Sequence, residues 1–308
     1  MPFSPDGSET SSIAAVKKEV GERDSIGLIG LGLMGSAMGE RLLAHGFTVQ
    51  GFDIDPGCLA AFVTRGGRAA TSVTDLITSC RRIILSLPDS EVVRTVLDEL
   101  QPLLRPGQVI LDTTTGRPEA AAAAGRRLAG HRVAYVEATI SGNSSQVRRG
   151  EVLAMTSGTA AAAALCNDML VCFARKIHHV GDWGSAAKLK LVSNLVLGLN
   201  RAVLAEGLAF AGKLHLDLEQ TLVVLRDSMS YSRVMDTKGD KMIAADFEPQ
   251  ARLSQHLKDV RLIQRAAELS HARIPLTDVH AQLLQQAESK GLGPLDNCAI
   301  IRVFEAVD

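Results

Sequence analysis

Apolar and polar positions follow two different rhythms along this chain. Over its first half, short apolar runs alternate with stretches in which apolar residues recur every three or four positions. That alternation predicts strand–helix–strand units and a mainly parallel sheet. Strands are expected over 26–29, 48–53, 82–87, 109–112, 133–138, 152–156 and 176–180, with helices over 34–44, 56–65, 90–100, 118–128 and 160–172. Pro56 and Pro118 suit a first helical turn, where a missing N–H costs nothing, and the alanine runs favour helix. Gly46, Gly107 and Gly130 punctuate the passage from helix back to strand.

The rhythm changes at Gly181-Asp182-Trp183-Gly184, after which apolar residues keep helical spacing to the end. A helix over 185–214 would be roughly 40–45 Å long at 1.5 Å per residue. Its most apolar part, 189–211, is interrupted by Lys190, Asn194, Arg201 and Glu206, which predicts a buried helix and no membrane span. Shorter helices are expected over 217–228, 252–269, 275–289 and 296–307.

Composition narrows the class. With 308 residues there is room for two domains, and a net charge of -1 gives no general pull toward nucleic acid or an anionic membrane. The chain is 46% apolar but only 4% aromatic, so it has few rings for stacking on bases. Cys58, Cys80, Cys166, Cys172 and Cys298 are odd in number and form no C-x-x-C pair. Neither a disulfide framework nor a zinc site is expected, and the cysteines fit a reducing, cytoplasmic compartment. Residues 1–24 are polar and lack the apolar core of a signal peptide, so they read as a flexible extension.

The most informative stretch is Ile26-Gly27-Leu28-Ile29-Gly30-Leu31-Gly32-Leu33-Met34-Gly35, an apolar strand that ends in G-x-G-x-x-G and opens a helix. Gly30 suits a tight turn, Gly32 lets backbone approach a pyrophosphate, and Gly35 lets helix pack on strand. The phosphates would sit at the positive helix end. The following strand ends at Asp53, twenty-three residues after Gly30, where a ribose hydroxyl needs an acceptor. A carboxylate there repels a 2′-phosphate, and the next positions are Ile54 and Asp55 with no Arg before Arg65, so NAD is favoured over NADP. Asp53 could alternatively cap the helix near Pro56, a task open to Asp55 as well. The expected fold is therefore an N-terminal Rossmann-type doubly wound sheet (25–184). An all-helical substrate and oligomerisation domain (185–308) follows, joined by a long interdomain helix.

Several ordered motifs resemble the β-hydroxyacid dehydrogenase family, the 3-hydroxyisobutyrate dehydrogenase-like enzymes. Besides the fingerprint with its Leu33-Met34 pair, these are Leu87-Pro88-Asp89, Asp112-Thr113-Thr114-Thr115-Gly116-Arg117-Pro118 and the late Lys258-Asp259. The resemblance implies that Leu33, Met34, Leu87, Pro88 and Thr115 meet the cofactor and that Lys258 reaches the cofactor or the substrate carboxylate, the other reading of Lys258 being a solvated charge on its helix. The family's substrate loop, D-A-P-V-S-G-G, reads here Glu137-Ala138-Thr139-Ile140-Ser141-Gly142-Asn143. Ser141, Gly142 and Asn143 are the implied contacts of a substrate carboxylate, with Asn143 adding a polar side chain. Ser-Gly-Asn-Ser is also ordinary turn chemistry.

The family pattern G-x-G-x-x-x-K-x-x-N-N is matched at Gly184, Lys190 and Asn194, with Ala186 and Ser193 as departures. Lys190 and Asn194 lie four apart on one helix face. A lysine among Leu189, Leu191, Val192 and Leu195 is unfavourable unless it faces a cleft or solvent. The expected mechanism has Lys190 exchanging the hydroxyl proton while hydride passes between the substrate carbon and the nicotinamide, with Asn194 orienting the substrate. Tyr231 and Arg233 are candidates for specificity by position. His178-His179 falls on a predicted strand with its side chains on opposite faces and no third ligand, so no metal is expected. Two other readings use the same residues. One is a related imine or carbonyl reductase, in which the catalytic Lys is replaced. The other is a non-catalytic cofactor-binding module, which should have lost a fingerprint glycine or the Lys190–Asn194 pair. The apolar long helix predicts a homodimer or homotetramer.

Overall fold

The computed structural model describes residues 25–305. Eight strands form one sheet: β1 (Ile26–Ile29), β2 (Val49–Phe52), β3 (Arg68–Ala69), β4 (Arg82–Leu85), β5 (Val109–Asp112), β6 (Ala134–Ser141), β7 (Val152–Ser157) and β8 (Ala174–His179). Their order is β3-β2-β1-β4-β5-β6-β7-β8, and only β6 and β7 pair antiparallel. Helices cover both faces, as an all-apolar parallel strand requires. They are α1 (Leu33–Ala44), α2 (Pro56–Thr64), α3 (Val73–Ser79), α4 (Ser90–Leu100), α5 (Pro118–Gly130), α6 (Ser144–Arg149), α7 (Ala160–Ala164) and α8 (Asn167–Leu170). Strand alternation sorts the core: Ile83 and Ile110 pack on one face, while Ile84 and Leu111 pack on the other.

The helical part begins with α9 (Ser185–Lys213), followed by α10 (Leu218–Asp227), a π-helical turn (Met235–Gly239), α11 (Asp240–Ile243), α12 (Leu253–Ser270) and α13 (Pro275–Ser289). A 3₁₀ turn (Asn297–Ile300) leads into α14 (Ile301–Glu305). A third core of Leu204, Leu208, Leu222, Leu257, Leu284 and Ile301 holds this part together. α9 packs on β6, β7 and α5 at its start and on α10, α12, α13 and α14 further along, so one helix ties the sheet to the helical part.

Where structure and expectation differ, the causes are local. β3 is two exposed residues, too short to show alternation. α3 lies outside the expected helices, although Val73, Leu76 and Ile77 bury at helical spacing and Ser72 caps it by accepting from the Asp75 N–H at 3.0 Å. The helix expected over 160–172 is two short ones, α7 and α8, and the helix expected over 296–307 opens as the 3₁₀ turn. β6 runs three residues beyond its expected end at 138, so Ser141 is a strand residue and not part of a loop. The extension expected over 1–24 and the final residues of the chain lie outside the described residues.

Candidate active site

At the cofactor end, β1 delivers Gly30 with φ +93°, and a Cβ there would collide with the Ser86 carbonyl. A Cβ on Gly35 would run into the carbonyl oxygen of Gly30. Gly32 differs, because nothing lies within 4 Å of where its Cβ would be. It begins α1, and no side chain caps that helix start. The first-turn N–H groups are thus left for an outside acceptor, the arrangement that holds a phosphate. Leu33 is exposed and Met34 half-buried on the same turn.

Asp53 stands just past β2, with its Oδ2 accepting from the Leu31 N–H at 2.6 Å and its Oδ1 from the Asp55 N–H at 2.8 Å. The cap of α2 is Asp55, which accepts from the Gly57 N–H at 2.8 Å, so Asp53 is not spent on that task. Arg65 is ion-paired with Glu40 at 2.8 Å. An uncapped helix start, open space at Gly32 and a carboxylate fixed beside the loop together fit a dinucleotide. Across the sheet edge, the Leu87 N–H donates to Thr114 Oγ1 at 3.1 Å, with half-buried Thr115 next to it. Lys258 reaches from α12 to donate to the Pro88 carbonyl at 2.6 Å. The motifs around Leu87-Pro88, Thr115 and Lys258 therefore meet at one place.

Where the helical part begins, β6 and α9 are locked together. Lys190 is 8% exposed and its Nζ donates to the Ile140 carbonyl at 2.8 Å, one residue before Ser141. Burial pulls its amine below the usual lysine range, and the nearby Asp259 charge works against that fall. One turn on, Asn194 Nδ2 donates to Asp259 Oδ2 at 3.1 Å. Burial pushes the Asp259 carboxyl up, opposed by Lys190 and Lys258. Tyr231 bonds Asp236 within its own segment and Arg233 is exposed, and neither bonds to Lys190 or Asn194. His178 and His179 are both exposed on β8.

A family model described as the NAD binding domain of 6-phosphogluconate dehydrogenase matches residues 25–181. A second, described as NAD-binding of NADP-dependent 3-hydroxyisobutyrate dehydrogenase, matches 184–304. The 2-(hydroxymethyl)glutarate dehydrogenase of Eubacterium barkeri is 31% identical over 284 residues, 91% of this chain and 94% of that protein. The chain belongs to the β-hydroxyacid dehydrogenase family. It is thus an oxidoreductase acting on CH–OH groups, with an NAD(P)-binding domain. The L-threonate dehydrogenase of Cupriavidus necator is 28% identical over 288 residues, covering 92% of this chain and 97% of its own. In fold, the chain is similar to Mycobacterium tuberculosis 3-hydroxyisobutyrate dehydrogenase with L-serine (TM-score 0.86, 24% identity, 92% of this chain and 100% of that one).

The residues that set this β-hydroxyacid dehydrogenase apart from the family loop have structural jobs. Asn143 caps α6, accepting from the Gln146 N–H at 3.0 Å while the Gln146 side chain accepts the Asn143 N–H at 3.0 Å. Its carboxamide oxygen is therefore engaged in a capping box. Thr139 Oγ1 donates to the Ala186 carbonyl at 3.3 Å, and buried Glu137 accepts from the start of α9. Asp259, which the sequence shows only as half of the Lys258-Asp259 motif, joins the candidate site through Asn194. The other surprise is Arg201, seven positions beyond Asn194 on the same helix face. It is 5% exposed, and its Nε and Nη1 have no hydrogen-bond partner. It sits with His256 and His280, whose ring centroids are 5.2 Å apart. The visible signal was a polar residue recurring at 190, 194 and 201 along an apolar helix.

Proposed function

We propose that this chain is an NAD-dependent dehydrogenase of small 3-hydroxy acids, or of the matching semialdehydes in reverse, with Lys190 as general acid/base. The nicotinamide, when bound, supplies the hydride exchange at the substrate carbon. The remaining task is moving the hydroxyl proton, which needs a base within hydrogen-bond reach. Lys190 suits it because burial makes the neutral amine easier to reach, and the Ile140 carbonyl fixes its nitrogen beside Ser141. In reduction the ammonium returns the proton to the carbonyl oxygen. Asp259 holds the Asn194 amide by one N–H, leaving the Asn194 oxygen to orient a substrate hydroxyl. Ser141, Gly142 and Asn143 would receive the substrate carboxylate. The named substrates of the two relatives, threonate and 2-(hydroxymethyl)glutarate, each carry both groups. NAD is favoured because Asp53 offers a carboxylate where NADP would bring its phosphate, while Arg65 is already paired.

The observation that carries this reading is the buried Lys190 nitrogen anchored next to the substrate strand. Lys190→Ala should lower kcat by about 10²–10⁴-fold, the usual worth of a general acid/base. The Kd for NAD should stay unchanged, with a panel of hydroxy acids as substrates. Full activity in the variant would remove Lys190 from the mechanism. Separate titrations should show tighter NAD than NADP binding, and the reverse order would refute the role given to Asp53.

A further inference from the structure

The family loop opens on Asp where this chain has Glu137, and the proposed reaction uses neither. Glu137 is 2% exposed in the middle of β6. Its Oε2 accepts from the Gly184 N–H at 3.0 Å and its Oε1 from the Ala187 N–H at 2.9 Å. The Ser157 hydroxyl donates to Oε2 from β7, the antiparallel neighbour of β6. α9 has no cap from its own Gly184, which sits at φ +90°. A side chain from the sheet therefore does that work, placing negative charge on the positive end of a 29-residue helix. Two more bonds follow along the same strand: Thr139 to the Ala186 carbonyl, then the Ile140 carbonyl to Lys190 Nζ. Glu137, Thr139 and Ile140 thus hold the first two turns of α9 onto one strand, and the strand residue after Ile140 is Ser141.

We infer that Glu137 is a positioning residue of the reaction: by capping α9 it sets where the Lys190 nitrogen stands relative to Ser141. A carboxylate is needed because it offers an acceptor to both helix N–H groups and to the Ser157 hydroxyl at once. An amide in its place turns one acceptor into a donor and faces N–H against N–H. The start of α9 would then shift or fray, and Lys190, within its second turn, would move with it. A displacement near 1 Å at such a distance from the chemistry can cost about 10²-fold in rate. The inference rests on the reading of Lys190 as the acid/base.

The test compares Glu137→Gln, Glu137→Asp and wild type in steady-state kinetics, and measures the pKa of Lys190 by pH-dependent amine labelling read by mass spectrometry. Glu137→Gln should lower kcat by roughly 10- to 100-fold with KM and the Kd for NAD nearly unchanged, and it should move the Lys190 labelling pKa. Glu137→Asp, which restores the carboxylate, should recover part of the lost kcat. If Glu137→Gln does not fold, Ser157→Ala removes one of the contacts holding the carboxylate and should give the same pattern with a smaller loss. A fall in melting temperature with kcat and the labelling pKa intact would overturn the inference and leave Glu137 a purely structural cap. Activity surviving Lys190→Ala would instead bring down the reading of the reaction itself. The labelling result stands apart from it, because it reports the nitrogen's surroundings whether or not that nitrogen is catalytic.

Discussion

Two buried cations on α9 face opposite circumstances. The Lys190 nitrogen has a carbonyl partner at 2.8 Å and a carboxylate nearby, and burial still draws it below the ordinary lysine range. On the proposed mechanism alcohol oxidation needs the free amine, so its kcat/KM should rise with pH. The rise should centre below the usual lysine pKa, while the reverse reduction declines over the same interval. Asp259 favours the ammonium, so Asp259→Asn should move that limb to still lower pH, and parallel pH–rate profiles check both statements. Arg201 has carboxylates nearby too, but its Nε and Nη1 have no hydrogen-bond partner. Burial pushes its guanidinium down to about 10, with Asp296, Cys298 and Asp259 acting against the fall. The obvious counter-ion, Asp296, is already held by Lys238 at 2.8 Å and by the N–H groups of Gln250, Ala251 and Cys298. Arg201 in turn disfavours charge on its neighbours, and His280 is drawn down to about 4, mainly by burial and then by that guanidinium. A buried charge without a partner is unfavourable, and exchanging buried ionic groups for apolar ones of similar volume often stabilises by about 1–4 kcal/mol. Arg201→Met should therefore raise the midpoint of urea unfolding at neutral pH, and a lower midpoint would show that the guanidinium has a partner in the native state.

Short elements carry the proposed substrate side. α6 is six residues long, too short to form from its own propensity, and it is held by Val147 buried in the sheet core and by Asn143 and Gln146, which satisfy each other's backbone N–H groups. Asn143→Ala should cost about 1 kcal/mol of stability, the common worth of an N-cap. Because Gly142 and Ser141 precede it directly, KM for the substrate should rise while the Kd for NAD stays put. An unchanged KM would separate the cap from the pocket. The same case shows what a sequence can display. The long periodic elements and the fingerprint are legible, since each spans enough residues for spacing to be read. Lys190 and Asn194 are legible too, because polar residues four apart in an apolar helix need a reason. The capping role of Asn143 is hidden behind a motif that suggests a ligand contact. Asp259 is less visible still: its partner lies 65 residues away, and only tertiary packing brings α12 against α9. β3 stays unseen because two exposed residues have no period to detect, whereas α3 does show helical spacing at Val73, Leu76 and Ile77, but in a run of only seven residues.

Across the whole molecule, α9 is the structural axis, and its two sides have different fates. One side buries Lys190, Asn194 and Arg201 against the sheet and the helical core. The other presents Val192, Val196, Val203 and Phe210, at intervals of four, seven and seven, of which Val203 and Phe210 remain 67% and 64% exposed. α9 is the one described helix long and apolar enough to cross a membrane by length and composition. Its inner side, however, is committed to packing within this fold, and a bilayer would have to surround a helix that carries a buried lysine and arginine. A stripe of apolar residues at heptad-like spacing, rising from a helix fixed at both ends, is instead suited to a like helix of a second copy. Exposed Val223 and Val224 on α10 add further apolar surface in the helical part. We expect a homodimer, or a tetramer built from such dimers, joined through this stripe. Val196→Asp with Val203→Lys should release monomers at micromolar concentration in light scattering, with the circular dichroism spectrum retained. Substituting these outward residues leaves the inward side of α9 intact, so NAD binding should persist in the monomer. Loss of kcat together with the dimer would then mean that the partner steadies the helix that carries Lys190. A wild-type chain already monomeric under those conditions would leave the stripe without a partner of its own kind.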